Sequence, residues 1–269
     1  IRALVNSMKK YVSDEAKPYI HFTLTSFDVI DTATAWRFKH AAIEGLLPML
    51  EELEGILIDL ARREAQTLQV GRTHGQHGSP VTFGFAVAEY VSRLGGRIEK
   101  IRETAEDLRG KISGAVGAYN ASSIMIDDPL EFERQVLAEI GLEPSPASTQ
   151  GAITCSCASS HARLTCASLV SCFSVLANLA DDMRHLQRTE INEVAEAFEA
   201  EQVGSSTMPH KRNPWNFENV KSMWKQFMPR MITVYSDQIS EHQRDLSNSA
   251  SQRFLPEIIV GLANSVARL

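Results

Sequence analysis

An all-α fold built from long helices is what this sequence predicts, on three observations. Val87, Leu94, Ile101 and Leu108 recur every seven residues, with Val91, Ile98 and Ala105 interleaved, the pattern of a helix packed along its whole length. Leu169, Cys172, Leu176, Leu179, Met183 and Leu186 alternate spacings of three and four, again one face of a helix. No run alternates apolar and polar residues for long enough to make a strand.

In chain order, residues 1–20 hold a short amphipathic piece ending near Lys17 and Pro18. Asp28 or Ser26 is expected to cap a helix running through Asp31, Trp36 and Phe38. Leu46, Leu50, Leu53, Leu57 and Leu60 continue at helical spacing, with Pro48 expected to bend the rod rather than end it. A polar turn, Gly71 to Pro80, leads into the heptad rod, which spans about 45 Å at the rise of an α-helix. A rod that long needs packing partners along its length, which points to a bundle and to other subunits. Residues 110–130 are glycine-rich and irregular, a short helix is expected over about 129–141, and Glu143 to Gln150 reads as a loop. The next helix is expected to run to about Glu199. Beyond a second polar loop, Asn213 is expected to cap a helix with Pro214 at its first position. Val220, Phe227 and Val234 form a heptad row with a bend at Pro229, and Leu255, Ile258, Leu262, Val266 and Leu269 mark the final helix.

Composition narrows the function classes. Of 269 residues, 43% are hydrophobic, enough for a sizeable core. A net charge of -6 argues against a basic nucleic-acid-binding face. No segment approaches eighteen consecutive apolar residues, so no membrane span is expected, and IRALVNSMKKYV does not read as a signal peptide. The four cysteines, Cys155, Cys157, Cys166 and Cys172, cluster too tightly for a disulfide framework. A reducing, cytoplasmic setting is expected. Their spacing with His161 matches no pair of zinc knuckles, and Cys172 falls on the core stripe. The chain carries no GxGxxG after a strand, no Walker loop, no GxSxG and no HExxH.

Four polar segments interrupt the apolar rods: one with His21, Thr25 and Ser26; one with Arg72, Thr73, His74, Gln76 and His77; GSSTMPHKRNP at 204–214; and Glu241 to Arg253. The third puts hydroxyls, an imidazole, a lysine and an arginine into a few residues of an acidic chain, which suits an anionic ligand.

GSSTMPHKRNP resembles the signature loop of the fumarase/aspartase superfamily, all-helical homotetrameric lyases that release fumarate by β-elimination. HFTLTSFDVIDTA (21–33) is similar to the HFGLTSxDxxDTA segment of the adenylosuccinate lyase family. GRTHGQHGSPVTFG (71–84) is similar to its RTHGxxAxPTTFG turn, and HQRDLSNSASQRF (242–254) to its ERDLSxSSxxR segment. The four motifs fall in family order and cover nearly the whole chain. After Gln150 this chain departs from the family, reading GAITCSCASSHA where the family has a spacer and Arg-Asp-Arg-His-Ala.

The resemblance implies a long-helix bundle forming a multi-helix core in a homotetramer, with active sites shared between subunits. It implies that residues 1–20 are the remnant of a first helical domain and 21–269 a central bundle, without a C-terminal domain. The implied activity is cleavage of adenylosuccinate to AMP and fumarate, and of succinyl-aminoimidazole-carboxamide ribotide in the same purine pathway. Ser205 matches the family's base and His74 its general acid. Ser206, Lys211 and Asn213 match succinyl-binding positions, and Thr25, Ser26, Gln150, Glu218 and Asn219 match binding or supporting positions. Arg244, Ser249 and Arg253 match the nucleotide and phosphate contacts, with His21 nearby. No metal and no organic cofactor is implied, and no nucleic acid or membrane. Another superfamily member, such as a carboxymuconate cycloisomerase or an argininosuccinate lyase, and a catalytically silent homologue are the alternatives.

The chemistry agrees with these implied roles. Taking a proton from carbon next to a carboxylate builds a dianion, which Lys211 and converging donors would stabilise. A serine acts as a base only if amides and a cation stabilise its alkoxide, and an imidazole suits protonation of a departing amine near neutral pH.

Overall fold

The computed structural model describes residues 1–145, 161–197, 204–208, 210–237, 239 and 246–269, and only the backbone of 161–164. The chain forms α1 (Arg2–Met8), α2 (Ser26–His40), α3 (Leu47–Arg63), the strands β1 (Leu68–Thr73) and β2 (Gln76–Thr82), and α4 (Phe83–Glu106). It continues with β3 (Arg109–Gly110), α5 (Ser122–Met125), α6 (Pro129–Ala138), β4 (Glu143–Pro144), α7 (His161–Leu186), α8 (Trp215–Phe227), α9 (Arg230–Ser236), α10 (Ser251–Phe254) and α11 (Pro256–Val266). Helices dominate, as the sequence predicts, and the strands are short accessories. The chain divides into two compact units. One comprises Ile1–Ala41, Thr104–Thr165 and Ile232–Leu255; the other comprises Ala42–Glu103, Cys166–Met231 and Pro256–Leu269.

The second unit is a helical bundle built on the predicted apolar stripes. Val87, Leu94 and Ile101 of α4 are completely buried, as are Leu169, Cys172 and Leu176 of α7. Tyr90 is buried beside that row while Val91 is only half-buried. α11 packs on α8 and α3. Gly261 permits the approach to α8, because a Cβ there would lie 2.1 Å from the Phe227 ring. The same ring stacks on Phe173 of α7, with centroids 5.9 Å apart. Polar ties complete the bundle. Lys221 of α8 reaches Asp181 at 2.5 Å, the Trp224 indole donates to Ser174 at 2.8 Å, and the Tyr90 hydroxyl donates to Asp182. α7 from Thr165 to Leu186 is long and apolar enough to cross a membrane, but 67% of its most apolar stretch is buried in protein, as in a core helix.

The first unit is held by a buried polar network that sequence reading does not foresee. Lys111 and Asp28, both buried, pair at 2.6 Å. The Thr32 hydroxyl bonds the Lys111 backbone at both carbonyl and amide, at 2.9 and 3.0 Å. Buried Glu133 accepts from the Ile112 amide and the Tyr119 hydroxyl, each at 2.5 Å. Burial raises the Tyr119 pKa, and the Glu133 carboxylate adds to it. Two charges taken out of water are tolerated only when each finds this many partners.

Four expectations need correction. Thr25, not Ser26 or Asp28, is the N-cap of α2, its amide donating to Asp28 at 2.8 Å, half of a capping box. The polar turn 71–80 belongs to an antiparallel hairpin, β1 against β2, missed because its strands are mostly solvent-exposed and carry no apolar alternation. α7 stops at Leu186 and not near Glu199. α8 starts at Trp215, with Pro214 rather than Asn213 at the cap position. Helical structure does continue through Pro48: a π-helical segment, Ala41–Leu46, absorbs its missing amide and leads directly into α3. Pro229 lies between α8 and α9, where a bend was expected.

Candidate active site

His74 sits at the tip of the β1–β2 hairpin. Thr73 pairs with Gln76, leaving a two-residue turn of His74 and Gly75 with φ of 56° and 71°. Both central residues in the left-handed region define the type I′ turn that suits a twisted ribbon, and glycine takes the second place without strain. The imidazole is therefore presented to solvent on a short, fixed stalk. One side of the hairpin is clamped by Glu193, which accepts from Arg72 at 2.5 Å and from Gln69 at 3.0 Å. Hydrogen bonding from Arg72 holds the Glu193 carboxyl below its ordinary value against the opposing effect of burial, and Gln69 helps. Arg72, Thr73 and His77 line a cleft of about 1110 Å³ that also borders Tyr90 and Asp182. Burial pushes the Tyr90 hydroxyl pKa up, and Asp182 adds to it.

The signature loop carries Ser205, the expected base. Ser205 is half-buried, and its Oγ accepts from the Thr207 amide at 3.4 Å and the Met208 amide at 3.2 Å. The donors follow the serine by two and three residues, the pattern of a serine-closed turn, and set two N–H dipoles beside its oxygen. The loop is closed on itself at its base, where the Asn213 side-chain Nδ2 donates to the Gly204 carbonyl at 3.0 Å. Lys211 and Ser206 are exposed. Glu218 lies exposed in the first turn of α8, and Asn219 follows with its Oδ1 buried and unpartnered among the described residues. A buried acceptor without a donor is rare, and such exceptions mark positions that await a ligand or a neighbour.

The remaining residues lie in the first unit. Thr25 and Ser26 open α2, preceded by His21, whose Nε2 is buried and unpartnered among the described residues. Arg253 of α10 donates to the Ser249 carbonyl at 2.5 Å, which leaves much of its exposed guanidinium for an anion. Gln150 and Arg244 lie outside the described residues. The site residues thus fall into two sets. His74, Ser205, Ser206, Lys211, Asn213, Glu218 and Asn219 belong to one unit, and His21, Thr25, Ser26, Ser249 and Arg253 to the other. Among the described residues no hydrogen bond joins His74 to Ser205.

Sequence reading missed Glu193 and Glu196. Glu196 accepts from the Phe217 amide at 2.9 Å and from the amide and side chain of Asn216 at 3.3 Å. It thereby supplies the anion that caps α8 from a distant segment. A signal for the irregular stretch was Asn192, which adopts a φ of 52°, the conformation in which asparagine ends helices.

Comparison with known proteins places the chain. A family model described as Lyase matches residues 2–228. The adenylosuccinate lyase of Aquifex aeolicus (strain VF5) is 37% identical over 265 residues, covering 97% of this chain and 57% of that protein. The adenylosuccinate lyase of Pyrococcus abyssi (strain GE5 / Orsay) is 36% identical over 268 residues, covering 97% of this chain and 56% of that protein. The chain therefore spans a little over half the length of these relatives. Among solved structures, the 3-carboxy-cis,cis-muconate lactonizing enzyme from Pseudomonas putida superposes with a TM-score of 0.83 at 25% identity, over 98% of this chain and 57% of that one. The fumarate lyase from Mesorhizobium sp. BNC1 gives a TM-score of 0.83 at 24% identity, over 100% of this chain and 58% of that one, a likeness of fold alone.

Proposed function

The chain belongs to this lyase family and has the helical fold of the fumarase/aspartase superfamily; on that premise we propose that it is the central part of an adenylosuccinate lyase. In this reading the protein expels AMP from adenylosuccinate and leaves fumarate, acts likewise on the succinyl-carboxamide ribotide, and works as a cytoplasmic homotetramer. The observation that carries the reading is the pair of loop amides on Ser205 Oγ. As an alkoxide, Ser205 takes the proton from the succinyl carbon adjacent to a carboxylate. The electron pair left on that carbon spreads into the carboxylate, and Lys211 with Ser206 and Asn213 offsets the second negative charge. The pair then forms the carbon–carbon double bond of fumarate as the carbon–nitrogen bond breaks. His74 gives its proton to the departing nitrogen. Ser249 and Arg253, with Thr25 and Ser26, hold the nucleotide end. A site shared between subunits, which the resemblance to the superfamily implies, is the arrangement this proposal adopts.

Support for the substrate comes from relatives named adenylosuccinate lyase at 35–37% identity. A second reading is cycloisomerisation of a carboxymuconate, favoured by the likeness to the Pseudomonas putida enzyme. Ultraviolet assays of the full-length protein on adenylosuccinate and on 3-carboxy-cis,cis-muconate separate the two. The proposal expects turnover of the first only. It also expects Ser205→Ala and His74→Ala each to lower turnover on the order of a thousandfold.

A further inference from the structure

The β1–β2 hairpin that carries His74 has a weak point, and one side chain braces it. Val70 pairs with Pro80 and Arg72 with His77, so Gly71 stands opposite both Gly78 and Ser79. An extra residue of this kind interrupts the ladder and bends the ribbon. The tip beyond it swings unless something outside the ribbon holds it. The bundle gives little support there, because the strands border the cleft of about 1110 Å³ that separates them from α4 and the end of α7. Among the described residues, the side-chain hydrogen bonds that join β1 to the rest of the chain both go to Glu193.

Glu193 grips β1 on both sides of the irregularity. Gln69, before it, donates to one carboxylate oxygen at 3.0 Å, and Arg72, after it, donates to the other at 2.5 Å. Arg72 pairs with His77 across the ladder, so the grip reaches both strands one rung below the turn. At the rise of a strand, that is about 7 Å from His74. Glu193 is itself fixed. Its amide donates to the Leu186 carbonyl at the end of α7 at 2.9 Å, and the Asn192 amide donates to the Arg188 carbonyl at 2.8 Å. The Glu196 amide donates to the Gln187 side chain at 3.0 Å, closing the same segment. The brace therefore runs from the core helix α7 to the hairpin.

We propose that Glu193 is a positioning residue of the active site, which sets the place of the His74 imidazole for proton donation by bracing the hairpin below it. This rests on the adenylosuccinate reading, in which His74 protonates the departing nitrogen. A proton donor works only within hydrogen-bond reach of its target, and a misplacement of about 1 Å costs about a hundredfold in rate. No substrate contact falls to Glu193 in that reading, so its loss is expected to spare KM. The test is a double-mutant cycle on full-length protein. The kcat and KM for adenylosuccinate are measured for wild type, Glu193→Ala, His74→Ala and the double variant. Glu193→Ala is expected to lower kcat on the order of a hundredfold, with KM changed less than about twofold. In the His74→Ala background the same change is expected to lower kcat by less than about twofold, because no donor is left to misplace. Glu193→Gln keeps the volume and one acceptor oxygen, and is expected to retain more activity than Glu193→Ala. Circular dichroism at the assay temperature checks that each variant is folded; if Glu193→Ala is not, Glu193→Gln carries the same cycle. An equal loss of kcat in both backgrounds overturns the proposal, since Glu193 then supports the site without acting through His74. Wild-type kcat in folded Glu193→Ala overturns it too, as does a loss seen in KM alone. Wild-type protein inert toward adenylosuccinate, or a fully active His74→Ala variant, sinks the underlying reading instead, so the two failures are distinguishable.

Discussion

Ser205 and Glu193 show how much hangs on single side chains here. Serine is a weak base in water, and the base role proposed for Ser205 rests on the Thr207 and Met208 amides that donate to its oxygen. The identity of Ser205 is legible in the sequence, because the loop motif is dense in reactive groups. The amide geometry is not, since it arises from a turn whose hydrogen bonds leave no pattern of residue types. Glu193 was not legible at all. It partners Arg72 across 121 positions, and long-range pairing of charges has no local signature. Its effect on stability has a definite sign. The folded carboxyl titrates below its ordinary value of 4.5 because Arg72 donates to it. The stabilisation is therefore complete above the unfolded value and is lost as pH falls through the lowered folded value. Denaturant titration is expected to show Glu193→Gln less stable than wild type at neutral pH, by about 1 kcal/mol, with the gap closing in the acid range below pH 4.5. A gap unchanged at acid pH would contradict the clamp.

At the scale of elements, periodicity was the readable signal and polarity hid the rest. α4, α7 and α11 were legible because Val87, Leu94, Leu169, Cys172 and Ile258 fall on buried stripes. The β1–β2 hairpin was not, because strands facing water do not alternate. The end of α7 was misplaced because residues 187–199 are mostly good helix formers. Tertiary bonds from Glu193 to Arg72 and from Glu196 to the first amides of α8 override that local preference. Removing the latter acceptor is informative. Glu196→Ala is expected to cost about 1 kcal/mol by denaturant unfolding, the worth of an N-terminal cap, and also to loosen the signature loop where it joins α8, raising its protease sensitivity. The junction of α8 and α11 offers a second check. Gly261→Ala places a methyl 2.1 Å from the Phe227 ring and is expected to destabilise the protein by about 1–3 kcal/mol. A neutral or stabilising result would mean that the two helices are not held at that spacing.

At the scale of the whole molecule, the candidate residues divide between the two units, with His74 and Ser205, proposed for proton transfer, in one and Ser249 and Arg253, proposed for the nucleotide, in the other. The helical class and the order of the four motifs were open to sequence reading, and so were Ser205 and His74 as candidates, since each is written in consecutive residues. The buried Lys111–Asp28 pair, 83 residues apart, and the interleaving of the two units were not. A site shared between subunits, as proposed, makes a specific prediction about assembly. If each site draws on more than one subunit, inactive Ser205→Ala and inactive His74→Ala proteins, mixed and reassembled, recover part of the wild-type activity. Failure to recover any activity in verified mixed oligomers would place both groups in one chain. The most direct measurement of the central claim is the ultraviolet-monitored conversion of adenylosuccinate by the full-length protein, with product analysis. The account predicts AMP and fumarate in equal amounts, with turnover lost in Ser205→Ala. Inert adenylosuccinate, or full turnover in Ser205→Ala, would contradict it.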